Sequence, residues 1–310
     1  MTFRIEIDHS IVHELVGSFC FHIHPPADKF IKGLDIGTEW FTERDLQFKD
    51  RKLDKLELQK SNYPELMKLL TWLCPKSDTV NDYLNWFSSL TAGDIYLLVE
   101  PYLDEKFSLP TDLSSQHSTA STFLKDWYDR YFHKYEQSFS TSLKDDVMRQ
   151  RQGLEERINK EDFIEDLTGG LVIDERLPIK VLKIFPSTHF SPYFTSYTFG
   201  DMAVTCYPPD DVQSKDLIMN QKIINIAKAL SDGRRLDIIR FLSQGKKTFK
   251  EITSELGTTK GTVHHHLLFL KAARLVTLYE VGDRQSYGYY GLRKNFPTEF
   301  KNYLEEIISG

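Results

Sequence analysis

Cysteine is scarce and scattered in this sequence. The 310 residues include three, Cys20, Cys74 and Cys206. An odd number so widely spaced does not make a disulfide framework, and the expectation is a reduced, cytoplasmic setting. No C-x-x-C occurs, which excludes a zinc knuckle. Long apolar runs are missing as well. The longest, such as Ile95 to Val99, fall far short of the ~20 residues that span a bilayer, so no membrane association is expected. The first residues, Met1-Thr2-Phe3-Arg4-Ile5-Glu6-Ile7-Asp8, carry charges where a signal peptide needs an apolar stretch.

Signatures of enzyme chemistry are thin. There is no Gly-x-Ser-x-Gly elbow, and His13-Glu14-Leu15 lacks the second histidine of H-E-x-x-H. Gly169-Gly170 precedes a β-branched run and reads as a turn, not a phosphate loop. His22-Ile23-His24 is similar to the H-x-H of metal-dependent hydrolases, and on a strand both rings would share a face. No carboxylate or further histidine at a recognisable spacing supports it. No catalytic residue, cofactor or metal is therefore expected. Cys20 and Cys74 read as small apolar core residues.

What is present is globular. Forty per cent hydrophobic and 27% charged residues exclude wholesale disorder. The charge is unevenly spread. Residues 221–310 hold 15 Lys and Arg against 9 Asp and Glu, a net of +6, whereas residues 1–220 hold 24 against 36, a net of −12. A basic module joined to an acidic one suggests a nucleic-acid-facing part fused to something else.

Tyr207 to Asp216, with two prolines and no apolar periodicity, reads as a linker. It divides the chain into 1–210 and 217–310. Ahead of it, Pro64–Leu73, Asp78–Leu90 and Ser121–Phe139 have the spacing of amphipathic helices. Leu171-Val172-Ile173, Ile179–Ile184 and Ala203–Tyr207 read as short strands. The first part is thus expected to be helical with a small antiparallel sheet, and the whole chain α+β.

In the second part, Ile223, Ile226, Ala227 and Leu230 form an i, i+3, i+4, i+7 stripe on a helix over 217–230. A second helix follows over 234–243, with Leu236, Ile239 and Leu242 inward, and Gly245 stops it. Thr248 with Glu251 makes a capping-box pattern for a third helix, 249–256. Gly257-Thr258 turns the chain, and Thr259 caps a fourth helix that runs to about Ala272. Leu275–Glu280, Val281-Gly282-Asp283-Arg284 and Gln285–Tyr290 read as strand, turn, strand, and Pro297–Ile308 as a last helix. Two helices joined by a tight turn, then a hairpin, describe a winged helix-turn-helix.

The fourth helix offers Thr258, Thr259, Lys260, Thr262, His264 and His265 to base edges or phosphates, and Gly261 would let its backbone approach a phosphate closely. Arg284 stands at the hairpin tip. Val263, Leu267 and Leu270 lie on the opposite, inward side. His264-His265-His266 is not a metal cluster, because successive helical residues point ~100° apart.

The run Ala229-Leu230-Ser231-Asp232…Arg235-Leu236-Asp237-Ile238-Ile239, then Thr262-Val263-His264-His265-His266-Leu267-Leu268-Phe269-Leu270…Ala273-Arg274-Leu275-Val276, resembles the ArsR-like winged-helix repressors. Their pattern is A-L-x-D-P-x-R-L-x-I-L, then T-V-S-x-H-L-x-x-L-x-x-A-G-L-V. The resemblance implies a homodimeric regulator that binds double-stranded DNA, usually a repressor released by a signal. His266 falls on the pattern's histidine, and His264 on its DNA-facing serine. Gly233 stands for the proline, and Arg274 for the glycine before the wing. The Cys-x-Cys of metal-sensing members is absent: the stretch is Thr253-Ser254-Glu255-Leu256-Gly257. The terminal helix offers Glu299, Glu305 and Glu306 but no histidine. The first ~210 residues, with 30 of the 40 aromatic residues and all four tryptophans, are read as a sensor or scaffold that would hold a small-molecule effector. Two other readings are an enzyme with an appended winged helix, and a winged-helix protein-interaction adaptor.

Overall fold

The computed structural model describes residues 3–75, 79–104, 107–209, 215–283 and 286–309, without side chains at 29, 215–221, 280–283, 286, 287 and 309. The chain opens on a strand, β1 (Arg4–Ile7), and a buried helix, α1 (Ile11–Ile23). Short helices follow: α2 (Asp28–Ile31), α3 (Gly37–Gln47), α4 (Lys52–Leu58), α5 (Tyr63–Leu73), α6 (Val80–Ser89) and α7 (Ala92–Val99). Two longer helices, α8 (Leu113–Arg130) and α9 (Glu136–Glu156), and the short α10 (Lys160–Thr168) complete the helical part. Strands β2 (Leu171–Ile173), β3 (Val181–Pro186), β4 (Thr195–Phe199) and β5 (Met202–Tyr207) come next. The C-terminal elements are α11 (Lys215–Leu230), α12 (Gly233–Ser243), α13 (Phe249–Leu256), α14 (Lys260–Ala272), β6 (Val276–Asp283), β7 (Ser286–Leu292) and α15 (Phe296–Ser309).

The class is α+β, as the sequence suggests, but three local expectations change. The helix expected over 121–139 breaks at Tyr131, where a single 3-10 turn, Phe132–Lys134, redirects the chain into α9. The break lets Tyr131 and Phe132 both enter the core. His22 and His24 lie at the end of a helix, not on a strand. His22 stacks on Trp127 at 4.9 Å, and its burial pushes it down to about 3. His24 is exposed, against the Gln59 carbonyl.

The third change is in the sheet. Its order is β1-β3-β5-β4, and β1–β3 and β3–β5 are parallel; only β4–β5 is antiparallel. The chain crosses over through helices between β1 and β3, which a strand-by-strand reading misses. Central β5 is buried throughout. Its Met202, Val204 and Cys206 face one apolar core, built mainly from α1, α5, α6 and α8. Ala203 and Tyr207 face a second core. That core holds Leu182 and Ile184 of β3, Phe163 and Ile164 of α10, and Ile238, Val263 and Leu278 of the C-terminal elements. The sheet is therefore the wall between two cores, and the second core runs without interruption into the basic module.

Strand β2 does not join this sheet. It pairs in parallel with β6, Leu171 opposite Leu278 and Val172 opposite Tyr279, so the hairpin β6–β7 becomes a three-stranded sheet. The approach demands glycine: at Gly170, with φ +131, an added Cβ would collide with the Val276 carbonyl. Beside it, buried Arg293 binds Asp166 at 2.9 Å and Glu299 at 2.8 Å, and Thr277 donates to Glu165 at 2.8 Å. The end of α10 is thus fastened to both the hairpin and α15.

Candidate nucleic-acid interface

Helix α13 starts where the capping pattern predicts. Thr248 Oγ1 accepts from the Glu251 amide and the Glu251 carboxylate accepts from the Thr248 amide at 2.7 Å, which holds that carboxyl below its usual range. Gly257 ends the helix in the left-handed region at φ +59. Thr259 then caps α14, accepting from the Thr262 amide at 3.2 Å. The cap leaves the first amides of α14 directed outward at the positive end of the helix dipole, a geometry suited to a phosphate.

Around that end the structure brings together Thr258, Thr259, Lys260, Gly261, Thr262, His264 and His265. Thr259, Lys260, Gly261 and His264 are exposed; Thr258, Thr262 and His265 are half-buried. Gly261 meets no internal constraint, since an added Cβ would find only Thr259 Oγ1 at 4.0 Å. His265 packs edge-on against Phe269 at 4.9 Å. Arg284 lies outside the described residues.

The rest of α14 is held on two sides. Val263, Leu267 and Leu270 pack into the module's own core. Leu268 packs into the helical core of the first part. His266 is buried, its Nδ1 3.8 Å from the Asp232 carboxylate that caps α12. Two positively charged side chains escape pattern-based reading. Arg235, 8% exposed, donates to the carbonyls of Ala229 and Lys228 at 2.8 and 2.7 Å and lies 4.5 Å from the Phe269 ring centre. Together with Ile238 it takes the deep place on α12, while Leu236 and Ile239 are half-buried. Lys271 is buried, and burial pushes it down to about 7. Their burial is invisible in sequence because a charged residue is assumed to face solvent unless its acceptors are known.

The corner before the wing keeps the shape of the family pattern. Arg274 has φ +53, a left-handed conformation in which glycine is at ease, and it is the lone non-glycine with positive φ among the described residues. Along β7 of the wing, Tyr290 exchanges backbone hydrogen bonds with Lys247 at 2.9 and 2.8 Å.

Residues 232–277 match the bacterial regulatory proteins of the arsR family. The C-terminal module is an ArsR-like helix-turn-helix, and α14 is the second helix of its pair. A long extra region precedes it. A crystal structure of a fragment of a possible transcriptional regulatory protein from Mycobacterium bovis is 28% identical, covering 31% of this chain and 97% of that chain, at a TM-score of 0.24. No curated protein matches the sequence. Among the described residues, no helix is long and apolar enough to cross a membrane.

Proposed function

We propose that this protein is a sequence-specific, homodimeric regulator of transcription that acts in the cytoplasm as a repressor, and that its N-terminal region receives the signal. The observation that carries the reading is the exposed first turn of the ArsR-like recognition helix. There a lysine, three threonines and a histidine surround a helix N-terminus. Lys260 and Arg284 supply phosphate contacts, Gly261 admits a phosphate to the backbone, and Thr258, Thr259, Thr262, His264 and His265 reach base edges or sugar–phosphate oxygens. Two recognition helices related by a two-fold axis would read half-sites ~34 Å apart, so the operator is roughly palindromic.

The test is selection of bound duplexes from a random pool, followed by titrations at several salt concentrations. Lys260→Ala and Arg284→Ala should weaken binding to all duplexes and flatten the log–log salt slope by ~0.9 per lost phosphate contact. Thr262→Ala and His264→Ala should instead change sequence preference, by ~1–3 kcal/mol per base-edge contact. Unchanged affinity in all four would remove the DNA face from this helix.

A further inference from the structure

A cavity of about 550 Å³ lies between the N-terminal region and the ArsR-like module. One side is formed by α9 and by residues 35, 36, 188, 191 and 192; the other by α11, the end of α14 and α15. Its volume falls within the ~300–1,000 Å³ of sites that enclose small molecules. Ile36, Phe139, Ile226 and Phe296 give it apolar walls.

The charges on the wall are unequally committed. Glu299 grips Arg293 at 2.8 and 3.1 Å. Asp35 accepts from Ser191 Oγ at 2.5 Å. Arg149 holds Asp146 at 2.8 Å, and Asp145 is exposed at the rim. Arg274 is different. Among the described residues its guanidinium has neither a hydrogen bond nor an ion pair, and its side chain leaves a left-handed backbone to lie over Gly169 and line the cavity. An arginine on unfavourable backbone beside an apolar space, its charge felt by the Asp35 carboxylate but its guanidinium bonded to no described acceptor, fits an acid that arrives from outside.

We propose that this cavity binds a small amphipathic carboxylic acid, its carboxylate on Arg274 and its apolar body against Phe139 and Ile226, and that the bound acid changes operator affinity. The regulatory half rests on the DNA-binding reading above; the binding half does not. Because α11 and α15 line the cavity and also expose Ile224, Leu304, Ile307 and Ile308, the apolar face on which a two-fold dimer would form, an acid lodged against them favours one spacing of the two recognition helices. A ligand shifts that equilibrium only by its difference in affinity between the two spacings.

The experiment titrates the full chain with benzoate, phenylacetate, indole-3-acetate and decanoate, and with the neutral amide of each, by calorimetry without DNA. At least one acid should bind about tenfold or more tighter than its amide, a loss that Arg274→Gly should reproduce. Glycine suits the left-handed backbone, so this variant should melt no lower than the parent. Ser142→Trp, at an exposed position of α9 on the cavity wall, should also block binding while keeping the circular dichroism spectrum. The binding half is overturned if none of the four acids binds, if acid and amide bind alike, or if Arg274→Gly binds as the parent does. The regulatory half is overturned if a saturating acid leaves affinity for a selected operator unchanged. A chain that binds the acid but no duplex would overturn the DNA-binding reading and leave the cavity assignment standing.

Discussion

Lys271 Nζ, on the last turn of α14, donates to the Phe194 carbonyl at 2.9 Å and sits 4.0 Å from the centre of the Phe194 ring. The contact joins the C-terminal end of α14 to the loop entering β4, across the seam between the acidic and basic parts. Helix α14 and the N-terminal region are therefore one mechanical unit at this end, while the other end of the helix stays open to solvent.

Burial pushes Lys271 down to about 7, against 10.5 for an ordinary lysine. Between those values the unfolded chain binds more protons than the folded one, so stability rises with pH, by at most about 1.4 kcal/mol per unit. Below about 7 both states are protonated and the penalty is constant. Lys271→Met keeps the stem and removes the charge. The difference between parent and variant urea midpoints should change from pH 7 to 9.5, with the variant gaining most at pH 7. A difference independent of pH would mean that Lys271 is charged throughout.

Gly170 sets the second junction. A methyl group there would meet the Val276 carbonyl, which is backbone and cannot rotate away, and φ +131 is closed to alanine. Gly170→Ala should cost about 2–4 kcal/mol and release β2 from β6. Hydrogen exchange should show faster exchange at the Leu278 amide, which donates to the Gly170 carbonyl. Protection equal to the parent's would show that the wing holds its place without this strand.

Gly261 makes the opposite case. Open space surrounds its Cα, so alanine should fit and raise helix stability by about 0.5–1 kcal/mol. If a phosphate approaches this backbone, the same methyl should weaken DNA binding at every sequence. Higher melting temperature with lower affinity is the expected pair of results. A variant both more stable and equally tight would leave the glycine without a role at the interface.

These predictions divide according to what sequence can reveal. The caps at Thr248 and Thr259 and the stop at Gly257 were legible, because each is settled by residues within one turn of the chain. The exposed turn of α14 followed from its caps and from the apolar positions behind it. The partner of β2 was not legible, since Leu171-Val172-Ile173 carries no mark that tells β6 from β3. Nor was the parallel sense of β1, β3 and β5, which depends on a crossover through the helices between β1 and β3 and on one through β4 between β3 and β5. The cavity wall joins residues from 35 to 303, and Arg274 signalled only a departure from a family pattern. Its left-handed backbone gives that departure a physical meaning: the turn is kept although the residue favouring it is gone.

The dimer face gives the last prediction. Ile224 on α11 is 44% exposed, and Leu304, Ile307 and Ile308 on α15 are 38%, 47% and 81% exposed. The two helices pack together: Lys222 lies 6.0 Å from the Tyr303 ring centre. Four large apolar side chains on adjoining helices leave surface that water disfavours and a second copy could cover, at ~25 cal/mol per Å² of apolar area removed from water. Ile307→Glu and Ile224→Glu would bury a charge in such an interface, whereas in a monomer both side chains would stay in solvent at a cost within about 0.5 kcal/mol. Sedimentation equilibrium at micromolar concentration should show a dimer for the parent and a monomer for the double variant, with unchanged circular dichroism. Affinity for a palindromic duplex should then fall far more than affinity for a single half-site, because the second recognition helix is no longer held at the matching spacing. A parent that sediments as a monomer, with and without DNA, would mean that this apolar face serves something other than a two-fold dimer.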